Sequence, residues 1–254
     1  MTNSLTDDQL LKLIVMCISK GIGDVRNFFY LTNNVTNNSV SLLRADFINT
    51  NLRDFLVKDN VTLALLQFKR SGWTGIILID RVNRRTFSIC TEHTLQQVIS
   101  KKRQSPHYLQ SILHVQNGDV VAMDKQLYLF EDMLKCQFSD DVFQRDYESI
   151  MGGEIQFVDG YRHFVIVYST SHFEVVSIRM LELDSNFQVA TEHRLENMLV
   201  PNFEDLTYVE KNAPAIKDAH SLVSVKSSIL ARTEAQKKPE VVVVPRKKGE
   251  KCTI

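Results

Sequence analysis

The sequence predicts an α+β fold with a helical N-terminal region, antiparallel hairpins forming a meander packed with helices, and an extended C-terminal tail. Residues 1–60 carry apolar side chains at helical spacing, and the apolar, β-branched segments that follow are clustered instead of alternating strictly with helices. With 254 residues, of which 44% are hydrophobic and 24% charged, the chain can bury about 70% of its unfolded surface. It therefore needs neither a disulfide nor a metal ion to fold.

The expected organisation has three parts. A helical region covers residues 1–60, an α+β body covers 61–230, and a tail covers 231–254. The body divides into two similar lobes, 61–118 and 119–230, if two of its segments with similar sequences arose by duplication.

These two segments are strand–turn–strand patterns that begin at Gly72-Trp73 and Gly160-Tyr161. The tripeptide Thr-Glu-His follows each of them, at 91–93 and at 191–193, but at different distances from the end of the hairpin. The alternative to duplication is that two hairpins of this kind look alike and that the tripeptide recurs by chance.

The N-terminal region begins with a capping box, Thr6-x-x-Gln9, which precedes apolar residues at helical spacing. Gly21 and Gly23 predict the C-terminal end of this first helix, and Asp24 predicts the cap of a second one. An Asn-rich stretch then ends the second helix, and Ser39 or Ser41 begins another short one.

The body contains a predicted hairpin at Thr74–Asp80 and Arg85–Thr91, and its clearest strands are Arg162–Tyr168 and Phe173–Leu183. Other segments have weaker patterns. We expect helices at Leu95–Ser100, His107–Val115, Phe138–Ile150, 213–230 and through Leu195 and Leu199, a second hairpin at 119–123 and 126–130, and short strands at Ile155–Val158 and Phe187–Ala190.

Charge is unevenly distributed although the formal net charge is zero. Residues 66–103 carry a net charge of +6 and residues 131–159 a net charge of −6. A basic hairpin tip near the single tryptophan is typical of a surface that binds phosphates and stacks a base. Two alternatives are an acidic protein partner and mutual neutralisation of the two regions within the fold. The candidate binding residues are Trp73, Arg81, Arg84, Arg85, Lys101, Lys102 and Arg103.

Known catalytic motifs are missing from the sequence. It has no phosphate-binding glycine loop after a strand, no His-x-x-x-His or Cys-x-x-Cys pair and no Gly-x-Ser-x-Gly, so we expect no cofactor. A divergent metal-dependent nuclease or hydrolase is the remaining enzymatic hypothesis, with Asp159 and Glu174 as its carboxylates. The lysine that such a site needs after Glu174 is absent.

The four cysteines, Cys17, Cys90, Cys136 and Cys252, are scattered, and the N-terminus does not resemble a signal peptide. No apolar run approaches the roughly 18 residues that would span a bilayer. We therefore expect a cytoplasmic protein with reduced thiols and no membrane partner.

The tail contains four consecutive valines, Val241, Val242, Val243 and Val244, between Pro239 and Pro245. β-branched residues in a row favour an extended strand, and such a strand binds by adding to an exposed sheet edge. The edge belongs to the same chain, to a second copy in a homodimer or to a foreign partner; a disordered tail is a further alternative.

These observations favour a non-enzymatic, cytosolic interaction or regulatory protein that binds another macromolecule, such as an accessory or inhibitory factor in virus–host conflict. The partner would be another protein or a second copy of the chain. Nucleic-acid binding through the basic residues of 69–103 is the alternative function, and metal-dependent hydrolysis is the second alternative.

Overall fold

A computed structural model describes residues 5–32, 36, 38–58, 60–70, 72–101, 104–121, 138–156 and 159–199. All of them belong to one unit of the chain, residues 1–209. Several predictions concern residues outside these ranges. They are the hairpin beyond Val121, the helix over 213–230, the basic residues Lys102 and Arg103, and the valines of the tail.

The described chain contains five α-helices and six β-strands. In chain order they are α1 (Asp7–Thr32), α2 (Val40–Asn51), β1 (Leu63–Arg70), β2 (Trp73–Asp80), β3 (Arg85–Thr91), α3 (Glu92–Ser100), α4 (Tyr108–Gln116), α5 (Asp140–Met151), β4 (Arg162–Ser171), β5 (Glu174–Leu183) and β6 (Val189–Arg194). A π-helical turn, Leu52–Val57, extends α2, and a 3-10 turn, Glu196–Met198, follows β6.

The six strands form one mixed sheet in the order β1-β2-β3-β4-β5-β6. Neighbouring strands are antiparallel except β3 and β4, which run parallel in a register that pairs Arg85 with Arg162 and Thr91 with Tyr168. The α+β class is therefore confirmed. Antiparallel pairing holds within two three-stranded meanders, β1–β3 and β4–β6, while the junction between them is parallel.

Helices cover both faces of this sheet, because side chains along each strand alternate between two buried clusters. The cluster under α1 and α2 includes Ile14, Ile18, Ile48, Leu52, Leu78, Phe87, Ile166 and Ile178. The cluster under α3, α4 and α5 includes Ile77, Ile79, Leu95, Leu109, Ile112, Tyr147, Ile150, Val165, Val167 and Leu181.

The N-terminal capping box is confirmed, since the Thr6 backbone N–H donates to Gln9 Oε1 at 2.9 Å. The predicted helix end at Gly21 and Gly23 is wrong, because α1 continues to Thr32. Both glycines are buried, and Gly21 lies so close to α2 that a Cβ atom there would be 2.7 Å from Ile48 Cγ1. Gly21 is required by close helix packing, and neither glycine ends the helix.

Asp24 does not cap a second helix, since it lies inside α1. Its carboxylate instead accepts hydrogen bonds from Lys20 Nζ at 2.8 Å and from Asn51 Nδ2 at 3.1 Å. The predicted restart after the Asn-rich stretch is confirmed, because Ser39 is the N-cap of α2.

The two main hairpins and the helices α3, α4 and α5 are confirmed within a few residues of their predicted ends. Strand β1 was not predicted, yet it pairs with β2 along its whole length, from Leu63 opposite Asp80 to Arg70 opposite Trp73. Two smaller predictions are wrong. Ile155 is not in a strand, and the helix expected through Leu195 and Leu199 is a single 3-10 turn.

The repeated tripeptide has a different structure in its two positions. Thr91 is the N-cap of α3, where its side chain accepts a hydrogen bond from the Thr94 backbone N–H at 3.1 Å. Thr191-Glu192-His193 lies inside β6. The two tripeptides therefore do not occupy equivalent places in the fold.

Candidate binding surface

The arginines of the predicted basic tip lie in the turn between β2 and β3 or beside it, and groups of the same chain bind them. Arg81 Nη2 lies 2.8 Å from Glu154 Oε2. Arg84 Nη1 donates to the Asp159 carbonyl oxygen at 3.3 Å. Of these two contacts, only Arg81–Glu154 pairs opposite charges of the basic and acidic regions, because Arg84 binds a backbone carbonyl oxygen.

Arg85 is held by two carboxylates. Its Nη2 lies 3.0 Å from Asp80 Oδ2 and 2.7 Å from Asp7 Oδ1. Asp80 is buried and also accepts from the backbone N–H groups of Val82 and Asn83 at 3.1 and 3.2 Å. A buried carboxylate with these partners organises the turn, and Arg85 completes its neutralisation.

Trp73 lies far from these arginines, because it begins β2 and Arg81 follows the end of that strand. An eight-residue strand separates its ends by about 25 Å. Lys101 is exposed at the end of α3, and Lys102 and Arg103 are outside the described residues. The structure therefore does not combine Trp73 and the hairpin arginines into one surface.

The carboxylate pair of the hydrolase hypothesis is also separated. Glu174 begins β5 opposite Ser171, at one end of the β4–β5 hairpin, while Asp159 precedes Arg162 at the other end. The ten residues of β4 span about 30 Å. Asp159 and Glu174 therefore cannot hold the same cation, and this assignment is wrong. The described residues contain no group of three or more His, Cys, Asp or Glu side chains that could hold a metal ion.

An open cleft of about 700 Å³ lies between the end of α4, the start of α5 and the start of β4. In this cleft Arg162 binds Asp119 through two hydrogen bonds of 2.6 and 3.0 Å, and the bond lowers the pKa of Asp119. His114 Nε2 lies 3.2 Å from Asp140 Oδ1. The Arg162–Asp119 contact is an ion pair, and the described lining residues present no nucleophile with its base.

A buried polar chain lies beside this cleft, at the parallel junction. Thr86 Oγ1 donates to Gln116 Oε1 at 2.5 Å, and Gln116 Nε2 donates to the Tyr147 hydroxyl at 2.9 Å. The Thr86 hydroxyl has one proton, which it donates to Gln116. His163 Nδ1 lies 2.7 Å from Thr86 Oγ1 and must therefore be the donor in the second hydrogen bond. His163 Nε2 is left unprotonated and has no hydrogen-bond partner among the described residues.

Burial lowers the pKa of His163 to about 3. The imidazole is therefore neutral at neutral pH and joins β4 to β3 and α4. Its position inside the sheet, away from solvent, indicates a structural role.

Within the described residues, the outer edge of β1 carries backbone groups that no other strand pairs with. The Arg81 backbone N–H donates to the Thr62 carbonyl at 3.0 Å, so Thr62 and Arg81 form a hydrogen-bonded pair. Along antiparallel strands such pairs alternate with opposite residues that are not hydrogen-bonded to each other. It follows that Leu65, Gln67 and Lys69 direct both their N–H and C=O groups away from β2. No described strand lies on that side of β1.

The side chains beside this edge are mostly apolar. Phe68 of β1 forms an aromatic cluster with Trp73 and Tyr108, with ring centroids 5.7 and 5.0 Å from its own. Gly75 pairs with Phe68, and a Cβ atom there would lie 2.4 Å from the Phe68 ring, so glycine is required beneath the cluster. Trp73 keeps 43% of its surface exposed.

The opposite edge of the sheet, β6, has a different character. It is six residues long, its register with β5 shifts between Glu182 and Leu183, and Glu192, His193 and Arg194 are exposed. Short length, irregular register and charge are the features that keep a sheet edge from pairing with another strand.

A family model matches residues 3–244. The chain belongs to DUF5986, a family of unknown function. The DUF5986 match includes the four valines of the tail. No curated protein and no solved structure matches the chain. In the described part of this DUF5986 chain, every helix is too short or too polar to cross a membrane.

Trp73 is among the binding residues predicted from the sequence, whereas the edge residues Leu65, Gln67 and Lys69 are not. The available signal was the apolar run Leu63–Phe68, which directly precedes the first strand of the predicted hairpin. A run of that length before a hairpin predicts a third strand, and its place at the start of a meander predicts a free edge.

Proposed function

We propose that this protein is a non-enzymatic interaction protein that binds an extended segment of a partner protein along the outer edge of β1. The observation that carries the proposal is the row of outward N–H and C=O groups at Leu65, Gln67 and Lys69, set in an apolar strand of unbroken register. Addition of a strand to such an edge is a common mode of peptide recognition, in which main-chain hydrogen bonds give affinity.

The surroundings of the edge define the chemistry of the partner. Side chains of an added strand alternate between the two faces of the sheet. On one face they would meet Phe68 and the half-exposed Trp73, which favours an apolar or aromatic residue. Near the end of the strand they would meet exposed Lys69, which favours an acidic residue. The expected partner is thus an apolar strand with an acid at one end.

A cytosolic location and an accessory or inhibitory role are parts of the same proposal. The free thiols of Cys17 and Cys90 fit a reducing compartment. Burial raises the pKa of both thiols to about 12, so neither is a nucleophile at neutral pH. Nucleic-acid binding is less favoured because Arg81, Arg84 and Arg85 are occupied by groups of the chain itself.

The test compares two proline substitutions on opposite edges of the sheet. In Gln67→Pro the lost N–H points away from β2, and in Arg194→Pro the lost N–H points away from β5, so neither change removes a bond within the sheet. Each tagged full-length variant is used to capture proteins from cells of the native host, beside the unsubstituted chain, with quantitative mass spectrometry.

We expect a partner that the unsubstituted chain and Arg194→Pro capture equally and that Gln67→Pro loses at least tenfold. A partner retained equally by Gln67→Pro would show that the β1 edge is not the binding site. Failure of the unsubstituted chain to capture any protein above a tag-only control would reject the proposal as well.

A further inference from the structure

We propose that the outer edge of β1 binds the same edge of a second copy of this chain, so that two β1 strands pair antiparallel about a two-fold axis at Gln67. This inference rests on the proposed function, because it concerns the same edge and names its occupant when no foreign partner is bound. Both occupants would use the same backbone groups, so a partner strand must separate the two copies.

The free backbone groups of β1 are arranged symmetrically about Gln67. They belong to Leu65, Gln67 and Lys69, whereas the Leu63 N–H is already used, since it donates to the Asn60 carbonyl at 3.1 Å. Antiparallel pairing about Gln67 places Leu65 opposite the second copy's Lys69, and Gln67 opposite its own counterpart. Each such pair of residues exchanges two N–H···O bonds. The pairing therefore satisfies the outward N–H and C=O groups of all three residues in both copies.

Charge selects the antiparallel direction. Lys69 is exposed. In a parallel, in-register pair the two Lys69 side chains would lie on neighbouring strands about 5 Å apart, and like charges in that position are destabilising. In the antiparallel pair four residues of strand, about 13 Å, separate the two lysines. This separation exceeds the Debye length of about 8 Å at physiological ionic strength, so their repulsion is largely screened.

The side chains beside the edge also fit a second copy. On the face of the aromatic cluster, half-buried Leu66 would lie opposite the second copy's Phe68 and extend its contact with Trp73. On the other face, the exposed Gln67 amide would hydrogen-bond its counterpart across the axis. The exposure of Gln67 on one face and of Trp73 on the other leaves surface free beside this half of β1.

The opposite edge of the sheet explains why the assembly would end at two copies. A two-fold axis at Gln67 covers both β1 edges at once. The outermost strand on each side is then β6, whose short length, register shift and exposed charge oppose further strand addition. An apolar edge that would otherwise pair unspecifically is thus closed in a defined dimer.

The expected dimer is weak enough for a partner to separate it. The paired segment, Leu65 to Lys69, has five residues in each copy, whereas stable complexes bury about 20 to 30 residues a side. We therefore expect a dissociation constant in the micromolar range, so that the two copies exchange and a partner strand gains access to the edge.

Sedimentation of the full chain at about 1 to 500 µM measures this association. We expect a monomer–dimer equilibrium in the unsubstituted chain. Gln67→Pro removes the donor at the axis from both copies and should raise the dissociation constant at least tenfold. Arg194→Pro, on the β6 edge, should leave the constant unchanged within twofold.

A second variant separates lost pairing from an altered backbone. Gln67→Lys keeps the backbone N–H but places two positive charges opposite each other across the axis, and should raise the dissociation constant about two- to fivefold. His193→Lys adds the same charge to the exposed β6 edge and should have no effect. A chain that stays monomeric over the whole concentration range, or equal association of the unsubstituted chain and both Gln67 variants, would overturn the inference.

Disulfide formation under oxidised glutathione tests the direction and register. In Gln67→Cys the two new Cβ atoms would lie about 5 Å apart, so a linked dimer should form. In Lys69→Cys they would lie about 13 Å apart, beyond the reach of a disulfide. The unsubstituted chain, which keeps the four native cysteines, gives the background on a non-reducing gel. Equal linking of both variants would contradict the antiparallel pair, because a parallel pair brings both positions together.

The two proposals fail separately. A monomeric chain, together with loss of a captured foreign partner in Gln67→Pro, would overturn the dimer and leave the proposed function standing. A dimer that Gln67→Pro weakens, with no foreign protein captured, would support the dimer and reject the foreign partner.

Discussion

The two edges of the sheet solve the problem of unpaired backbone groups in different ways. β6 is short, shifts register at Glu182 and carries exposed charge, so it is suited to remain in contact with water. β1 is longer, keeps an unbroken register and consists mainly of Leu, Ala and Phe, with Gln67, Lys69 and Arg70 in its second half. The difference teaches that the two edges of one six-stranded sheet need not oppose pairing to the same degree, and it is the basis of the proposal that β1 accepts another strand.

Each edge is fastened to the helices on the same face by an arginine. Arg70 at the end of β1 binds Asp146 of α5 and donates to the Pro106 carbonyl at 2.9 Å. Arg179 of β5 binds Glu92 of α3 at 2.7 Å and Glu192 of β6 at 3.4 Å. Both edges are thus tied to helices by charged contacts, and the backbone groups of β1 are presented by a strand with a fixed end.

The largest expected effect concerns the parallel junction of β3 and β4, which joins the half of the sheet that ends at β1 to the half that ends at β6. The folded-state pKa of His163 is about 3, below the usual 6.5, so the unfolded chain binds more protons between these values. Stability is complete above pH 6.5 and falls as the pH decreases. The expected loss is about 2 kcal/mol between pH 6.5 and 4.5, and on the order of 4 kcal/mol by pH 3.

Urea unfolding at several pH values measures this loss. Asp119 and Glu196, whose pKa values are lowered, are present in both chains and therefore contribute equally to both profiles. His163→Gln has no imidazole to titrate and should show a flatter profile between about pH 6.5 and 4.5. Identical profiles for the two chains would contradict the buried, neutral state of His163.

The next effect concerns the β1 side alone. Gly75→Ala places a methyl group where the Phe68 ring lies 2.4 Å and the Trp73 ring 2.7 Å away, so the aromatic cluster must shift. We expect a loss of about 1 to 3 kcal/mol in the free energy of unfolding and a change in Trp73 fluorescence. Thr74→Ala, at the exposed neighbouring position, should change neither quantity appreciably.

Removal of the two fastening arginines tests whether both edges are held equally. Arg70→Ala should lower the free energy of unfolding by about 1 to 2 kcal/mol, because Asp146 is mostly buried and loses a charged partner. Arg179→Ala should lower it by about 1 kcal/mol, since its carboxylate partners are more exposed. A larger loss for Arg179→Ala would reverse the ranking of the two edges.

The smallest effect concerns the positive charge of Lys69 at the outer edge of β1. Lys69→Glu should alter the free energy of unfolding by less than about 0.5 kcal/mol, because Lys69 is exposed. It should nevertheless weaken capture of the proposed partner about two- to fivefold, since the acidic partner residue expected near Lys69 would then face a like charge. Lys69→Gln should have an intermediate effect, and unchanged capture by both variants would remove the charge argument.

Much of the fold could be predicted from the sequence because its signals are local. The capping box at Thr6, the hairpin turn after Asp80 and the β-branched strands each depend on neighbouring residues only. β1 was missed because its Leu, Ala and Gln residues favour helices on their own, and pairing with β2 overrides that preference. Gly21 was misinterpreted for a similar reason, since only the approach of α2 reveals why glycine is needed there.

The candidate site was less accessible to sequence analysis. The grouping of Trp73 with the hairpin arginines neglected the length of β2, which alone separates them. Two partners of these arginines, Glu154 of Arg81 and Asp7 of Arg85, come from distant parts of the chain, so these contacts could not be predicted from the local pattern. The parallel junction could not be predicted from local patterns, because it joins strands separated by three helices.

That junction also has a kinetic consequence. Thr86 and His163 meet although 77 residues separate them in sequence, whereas each meander closes through short turns. The chain must lose entropy to close the loop between β3 and β4 before the contacts between these strands contribute favourable free energy. We therefore expect the strands within each meander to pair before the third and fourth strands register side by side, so that this registration is the slow step of folding.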